Sequence, residues 1–375
     1  MSHLKKYRLK KYRLKIQTIT PLHIGTGNKL KRDFDYVTQD GKTFVVDERA
    51  LAEKLYDGNQ QQLIGDRASA GLKMLFRNSP YDVNSPLFRY VMEGEPTSSK
   101  SGSDVQEQMK DIWDRPYIPG SSLKGAIRTA ILYAGFEARE EPFAVSDIGH
   151  NAKYAAQPYE KDLLGEDPYH DIFRAMQVTD STPADTSDLR LINVKVAKGG
   201  EASGAPIELE AIDHGVSFTS ELSLDNYLLE KQAHELKWEK DKQIKWLRHF
   251  VQAINDFTIS RLRADAHKRE GSWGKNHERL IKYVEKRLNL EPNEFILQLG
   301  WGGGWSSKTL GDHLTREEFE FAKLVNNGRY KMLRKGKFQM GDRYPKSVRA
   351  IVQEIEGKER PTNDLGWIRV KVEEL

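Results

Sequence analysis

The sequence contains no cysteine, which excludes disulfides, thiolate nucleophiles, Cys-ligated zinc and iron–sulfur clusters at once. It has no apolar run approaching the roughly 18 residues that a spanning helix requires, and its basic N-terminus lacks the apolar stretch of a signal peptide. A cytoplasmic protein without membrane contact is expected. Net charge is scarce too: 59 Lys and Arg against 55 Asp and Glu leave +4, too little to identify a partner. The ten histidines form no HExxH pair and no cluster with metal-ligand spacing, and no GxSxG frame surrounds Ser121 or Ser122. No catalytic residue, metal or cofactor is therefore expected.

What the chain does have is length and an uneven distribution of charge. At 375 residues it exceeds the roughly 250 to 300 at which single cores stop growing, so two domains are expected. Seven basic residues and no acid fall between Lys5 and Lys15, partly through a tandem KYRLK that looks like a duplicated start. Eight more (Arg329, Lys331, Arg334, Lys335, Lys337, Arg343, Lys346, Arg349) face the single Asp342 between Gly328 and Arg349, with Tyr330, Phe338 and Tyr344 interleaved. Cations neutralise phosphates and ring faces accept bases, so this mixture suits single-stranded nucleic acid, or else a solvated basic surface.

The apolar pattern predicts a strand from Tyr12, ended by Pro21, then a turn through Gly25 and Gly27. A hairpin about Asp40-Gly41 and a helix over 47–56 follow. Leu123, Ile127, Ala130 and Ile131 recur at helical spacing after Pro119-Gly120, with Ser121 or Ser122 as N-cap. A mobile loop is expected at 97–103, a turn-rich insertion at 140–170, strands at 175–178 and 190–196, and a loop at 198–206. The second half reads as a strand over 216–224, a long amphipathic helix over 243–262, a helix over 277–288, and strands at 295–299 and 367–372. The result is α+β, divided into 1–207 and 208–375.

Two segments are candidate phosphate sites. In Gly300-Trp301-Gly302-Gly303-Gly304-Trp305, followed by Lys308, glycines permit positive φ and close ligand approach, and successive N–H groups can cradle an anion. The alternative is a structural turn packed under the two tryptophans. Ser307 stands where a Walker loop requires glycine, so nucleotide hydrolysis loses its best candidate. In Pro119-Gly120-Ser121-Ser122-Leu123-Lys124-Gly125, Lys124 and Arg128 lie one helical turn apart, with room for a phosphate between them and helix N-terminal amides nearby. They are otherwise two solvated cations. His23 is a core residue, a base contact or a general base. Asp33 and Asp35 are magnesium or ribose ligands, or simply solvated.

Thr20-Pro21-Leu22-His23-Ile24-Gly25-Thr26-Gly27, the segment Tyr117 to Arg128 and the Gly-rich loop, in that order, resemble the RAMP superfamily of CRISPR-associated proteins. Within it the chain is most similar to the terminal RAMP subunit of the type III-A Csm effector complex. The resemblance implies two ferredoxin-like, RRM-related domains with helical insertions. It implies a non-catalytic, RNA-binding subunit that holds the 3′ side of the guide RNA (crRNA), caps the backbone filament and supports crRNA maturation in antiviral defence. Expected partners are the crRNA, the neighbouring backbone RAMP subunit, the small helical subunit and recruited trimming nucleases. The expected RNA contacts are His23, Ser121, Ser122, Lys124, Arg128, Gly300, Trp301, Gly302, Gly303, Gly304, Trp305 and Lys308. Target cleavage in the family uses an aspartate in the region of Asp33, but the sequence around Asp33 differs, so catalysis is not transferred. The rival readings are a RAMP endoribonuclease acting through Asp33 or His23, and an assembly protein docking partners through the 243–262 helix.

Overall fold

The computed structural model describes residues 9–57, 81–97, 104–333 and 336–375. The start of the N-terminal basic run (5–8), residues 98–103 of the loop expected at 97–103, and Arg334 and Lys335 lie outside the described residues. The strands in chain order are β1 (Lys10–Thr18), β2 (Gly25–Lys31), β3 (Tyr36–Gln39), β4 (Lys42–Val46), β5 (Phe88–Glu93), β6 (Asp104–Gln108), β7 (Met176–Val178), β8 (Leu189–Lys198), β9 (Glu201–Ile212), β10 (Ser217–Leu224), β11 (Glu294–Gln298), β12 (Val348–Ile355), β13 (Lys358–Asn363) and β14 (Trp367–Glu374). The main helices are α1 (Glu48–Asp57), α2 (Gly120–Glu137), α3 (Gln157–Leu164), α4 (Phe250–Asp265) and α5 (Gly271–Leu290).

The strands form two sheets, one in the order β11-β14-β1-β10-β7 and a larger one in the order β2-β6-β9-β8-β5-β4-β3, with the β12–β13 hairpin joined to β8. This is the α+β architecture expected. Alternation along β1 sends Leu14 and Ile16 into the main core, where they meet Leu123, Ile127 and Ile131 of α2 and Ile254 and Phe257 of α4. Helix α2 packs on α4 and β7, and α4 on β11. Two glycines permit close approach of α2 to β7 and to the short helix Lys245–Arg248. A Cβ at Gly120 would lie 2.3 Å from the Val178 carbonyl oxygen, and one at Gly135 would lie 2.9 Å from the Trp246 ring.

The Asp40-Gly41 hairpin turn is present, with both residues at positive φ. Four local expectations are corrected. Gly25 and Gly27 open β2, because its backbone pairs with β6. Neither Ser121 nor Ser122 caps α2; Pro119 holds that position, and Asp180 accepts the Gly120 N–H at 2.8 Å. Residues 201–206 form strand, not loop, since pairing such as Val196↔Ser203 is a backbone property that small exposed side chains do not prevent. The place between residues 207 and 208 falls inside this strand, and the first sheet combines strands from both halves. The long helix expected over 243–262 breaks at His249, whose ψ of 34° leaves helical geometry. Beyond that break Phe250, Ile254, Phe257, Arg261 and Leu262 are buried, so α4 turns its apolar face into the core. That burial removes most of the surface proposed for docking. In the insertion at 140–170 the structure has α3, which packs on α2.

Candidate nucleic-acid interface

Segments far apart in sequence line one open cleft of about 470 Å³: Gly25 after β1, Ser122 and Thr129 on α2, and Gly300, Trp301 and Lys308 of the Gly-rich loop. The loop is pinned to the chain after β1. Leu299 N–H donates to the Gly366 carbonyl at 2.7 Å, Trp301 N–H to the His23 carbonyl at 2.8 Å, and Gly366 N–H to the Pro21 carbonyl at 2.8 Å. Gly300 has φ +78°, and a Cβ there would sit 2.3 Å from the His23 carbonyl oxygen. Only glycine fits, because the conformation is left-handed and the approach leaves no room. The Trp301 amide is thereby committed to protein and is not part of an anion cradle.

The other loop residues divide between surface and core. Gly302 faces Leu365, and Gly303 faces the Ser307 hydroxyl. Trp305 turns inward, its ring 4.9 Å from Tyr344 and 5.8 Å from Phe321. Phe338 and Tyr344, expected to interleave with cations as base platforms, belong to this same internal aromatic cluster. Trp301 remains at the cleft with the Arg349 guanidinium 4.7 Å from its ring centroid, a cation–π arrangement that the sequence did not signal. Lys308 is exposed and has no ion-pair partner among the described residues.

The cations at the start of α2 are arranged differently. Lys124 Nζ donates to the Met176 carbonyl at 2.7 Å. Arg128 pairs with Asp171 at 2.7 Å and Glu160 at 3.5 Å, and lies over the Phe173 ring. Burial pushes the Lys124 pKa down, against the pull of Asp171. The phosphate expected between these two cations is replaced by the Asp171 carboxylate, and the one expected at the helix N-terminus by Asp180. Ser122 and Leu123 N–H both donate to the Pro119 carbonyl, which uses two more first-turn amides. Ser121 is exposed and does not line the cleft.

His23 is 2% exposed, with Nδ1 2.6 Å from the Glu210 carbonyl oxygen; Nδ1–H donates, and Nε2 faces Gly25. Burial pushes its pKa down, and Lys110 adds to the fall, so the ring is neutral near pH 7. It packs edge-on to Trp301 with centroids 6.3 Å apart. His23 is thus a core pivot that holds the Gly-rich loop, the first of its three sequence readings. Beside it the fully buried Glu210 accepts from Tyr90 Oη (2.6 Å), Lys110 Nζ (2.6 Å) and Gln108 N–H (3.0 Å), a closed network of the kind a buried carboxylate requires. Asp33 is buried at a positive φ of 67°, and the Asp35 carboxylate accepts the Lys31 amide at 2.6 Å to close the same turn. Among the described residues, the one group of side chains spaced for a metal is Glu166, Asp167 and His170, on the surface.

A model of the RAMP superfamily matches residues 15–307, a span that includes the cleft residues up to Ser307. The chain belongs to the RAMP superfamily. Among RAMP relatives, the CRISPR system Cms protein Csm5 of Streptococcus thermophilus is 28% identical over 229 residues, covering 53% of this chain and 60% of that protein. The chain therefore matches less than two thirds of that relative's length. Csm5 of Methanocaldococcus jannaschii is 23% identical over 314 residues, covering 79% of this chain and 72% of its own. In fold, the chain is similar to one in the cryo-EM structure of a Csm–crRNA–target RNA ternary complex of a type III-A CRISPR-Cas system. The TM-score is 0.68 at 21% identity, with 97% of this chain and 100% of that one covered. The crystal structure of T. onnurineus Csm5 gives a TM-score of 0.65 at 22% identity, covering 94% and 99%. At such identities these structures speak to the fold alone.

Proposed function

We propose that this RAMP protein is a non-catalytic subunit of a type III-A Csm ribonucleoprotein effector, holding the 3′ side of the crRNA and capping the backbone filament. The observation that carries this reading is the cleft itself: three segments from different parts of the chain converge on an open surface where Lys308 has no ion-pair partner among the described residues and Trp301 is capped by Arg349. A single strand held without chemistry needs cations and a stacking face. The names of the relatives favour the same reading, and so does the likeness to a chain from a crRNA-bound complex. His23 is neutral and enclosed, and Asp33 is buried at positive φ in the turn before β3, so the sequence's candidates for cleavage sit in structural positions. The subunit supports crRNA maturation in antiviral defence through assembly, in contact with the neighbouring backbone RAMP subunit, the small helical subunit and recruited trimming nucleases, in the cytoplasm.

The test is reconstitution of the complex on crRNA carrying photoreactive uridines along its length. Crosslinks from the 3′ side to peptides spanning 22–25, 120–129 and 299–308 are expected. Crosslinks only from the 5′ side, or repeat-RNA cleavage by the purified subunit that Asp33→Ala or His23→Ala abolishes, would overturn the reading.

A further inference from the structure

A second and larger groove, of about 1070 Å³, opens between the β8–β9 turn, the connection from α4 to α5 and the chain at 341–348. Five cations line it (Lys198, Lys268, Arg343, Lys346 and Arg360) against the three carboxylates of Glu201, Glu270 and Asp342. Lys268 is held by Asp265, and Lys346 by Asp342 at 3.3 Å. Lys198, Arg343 and Arg360 have no ion-pair partner among the described residues; Arg343 donates only to the His267 carbonyl. Burial pushes the His267 pKa down, and the neighbouring Lys268 and Arg343 add to the fall.

Two stretches of chain link the groove to the cleft. Arg349, which lies over Trp301 in the cleft, directly follows the groove residues Ser347 and Val348. Along the other stretch, Asp265 accepts the Ser306 hydroxyl at 3.2 Å and also holds Lys268 in the groove, while Ser307 and Lys308 line the cleft. Cations without an ion-pair partner among the described residues thus stand at both cavities, Lys308 in the cleft with Arg349 over its Trp301, and Lys198, Arg343 and Arg360 in the groove.

We propose that a single RNA strand leaving the cleft crosses the Arg349–Trp301 pair and continues in this groove, so that the chain grips two successive stretches of one strand. The proposal rests on the RNA-binding reading above. Unpaired cations in two cavities joined by short stretches of chain suit a polyanion whose charges recur along its length, because each neutralised phosphate releases counterions. Small anions need only one such position.

The test is anisotropy of full-length protein with oligouridylates from about 4 to about 16 nucleotides, the range of single-strand site sizes. Wild-type affinity should rise with length. Lys198→Ala/Arg343→Ala/Arg360→Ala should lose that gain, about tenfold for the longest strand, and reduce its salt slope by about 2, at roughly 0.7 per phosphate contact. Its affinity for the shortest strand should be unchanged, which also reports that it is folded. Arg343→Lys/Arg360→Lys should keep the gain. A photoreactive uridine at the distal end of a long strand should crosslink wild-type protein at 341–348. Wild-type affinity independent of length, a triple variant with wild-type slope, or crosslinks confined to the cleft overturns the groove and leaves the cleft reading standing. No binding at any length overturns both. If the triple variant instead loses a protein subunit from the complex with RNA length dependence intact, the groove is a protein dock and the proposal fails.

Discussion

The start of α2 and the Gly-rich loop present similar cations in the sequence and opposite ones in the structure. Lys124 and Arg128 are engaged by the Met176 carbonyl and the Asp171 carboxylate, and the helix N-terminus is filled by Asp180. Lys308 and Arg349 have no carboxylate partner among the described residues and stand at the cleft beside Trp301. A cation binds a ligand only with charge that the protein has not already neutralised. The two regions show that a basic motif next to glycines does not reveal whether that charge is available.

The sharpest way to break the contrast is Gly300→Ala. A side chain at φ +78° and 2.3 Å from the His23 carbonyl oxygen should cost about 2 kcal/mol or more and abolish RNA binding, read by denaturant midpoint and anisotropy. Next is Lys308→Ala/Arg349→Ala, expected to weaken RNA binding about tenfold, or ~1.4 kcal/mol, and to lower the salt slope by roughly 1.4, with the melting temperature unchanged. Arg128→Ala should do the reverse: about 1 kcal/mol of stability lost with its ion pair, and RNA affinity and slope as in wild type. A reduced slope in Arg128→Ala, or none in the Lys308/Arg349 variant, would reverse the assignment of the two regions.

Acidification should have the smallest effect on binding. A charged His23 contacting phosphate would tighten RNA as pH falls from about 8 to about 6, whereas a buried neutral ring predicts constant affinity. Stability behaves differently over the adjoining range. His313, stacked on Tyr133 and Phe136 between Glu137 and Arg316, has its pKa pushed down to about 4 by burial. The unfolded chain takes up a proton below about 6.5 that the folded protein refuses. The stability present above that pH is therefore lost as pH falls toward about 4, and thermal melts of wild type against His313→Phe measure His313's share.

Much of the fold was legible because periodicity and turn chemistry are local. The alternation of Leu14 and Ile16, the Asp40-Gly41 turn, and the spacing of Leu123, Ile127 and Ile131 each follow from a few adjacent residues. The β12–β13 hairpin was not legible, since Val348–Ile355 continues a basic run, and its alignment depends on β8, which is remote in sequence. The break at His249 also escaped, because apolar spacing continues through it. In the site, Gly300, Trp301 and Lys308 were readable from composition. The pairing of Arg349 with Trp301 was half readable, since the two residues belong to separate motifs and nothing local joins them.

The sequence alone determined the chemistry on hand: no thiol, little net charge, cations beside glycines and aromatics, and the order of motifs that marks a RAMP protein. Tertiary structure decided which of those groups face outward. Asp171 and Asp180 reach α2 from 43 and 60 residues away, and Arg349 reaches Trp301 through a hairpin built on another sheet strand. Charge neutralisation acts through space, at distances of a few ångströms, and chain separation says nothing about which carboxylate will arrive there.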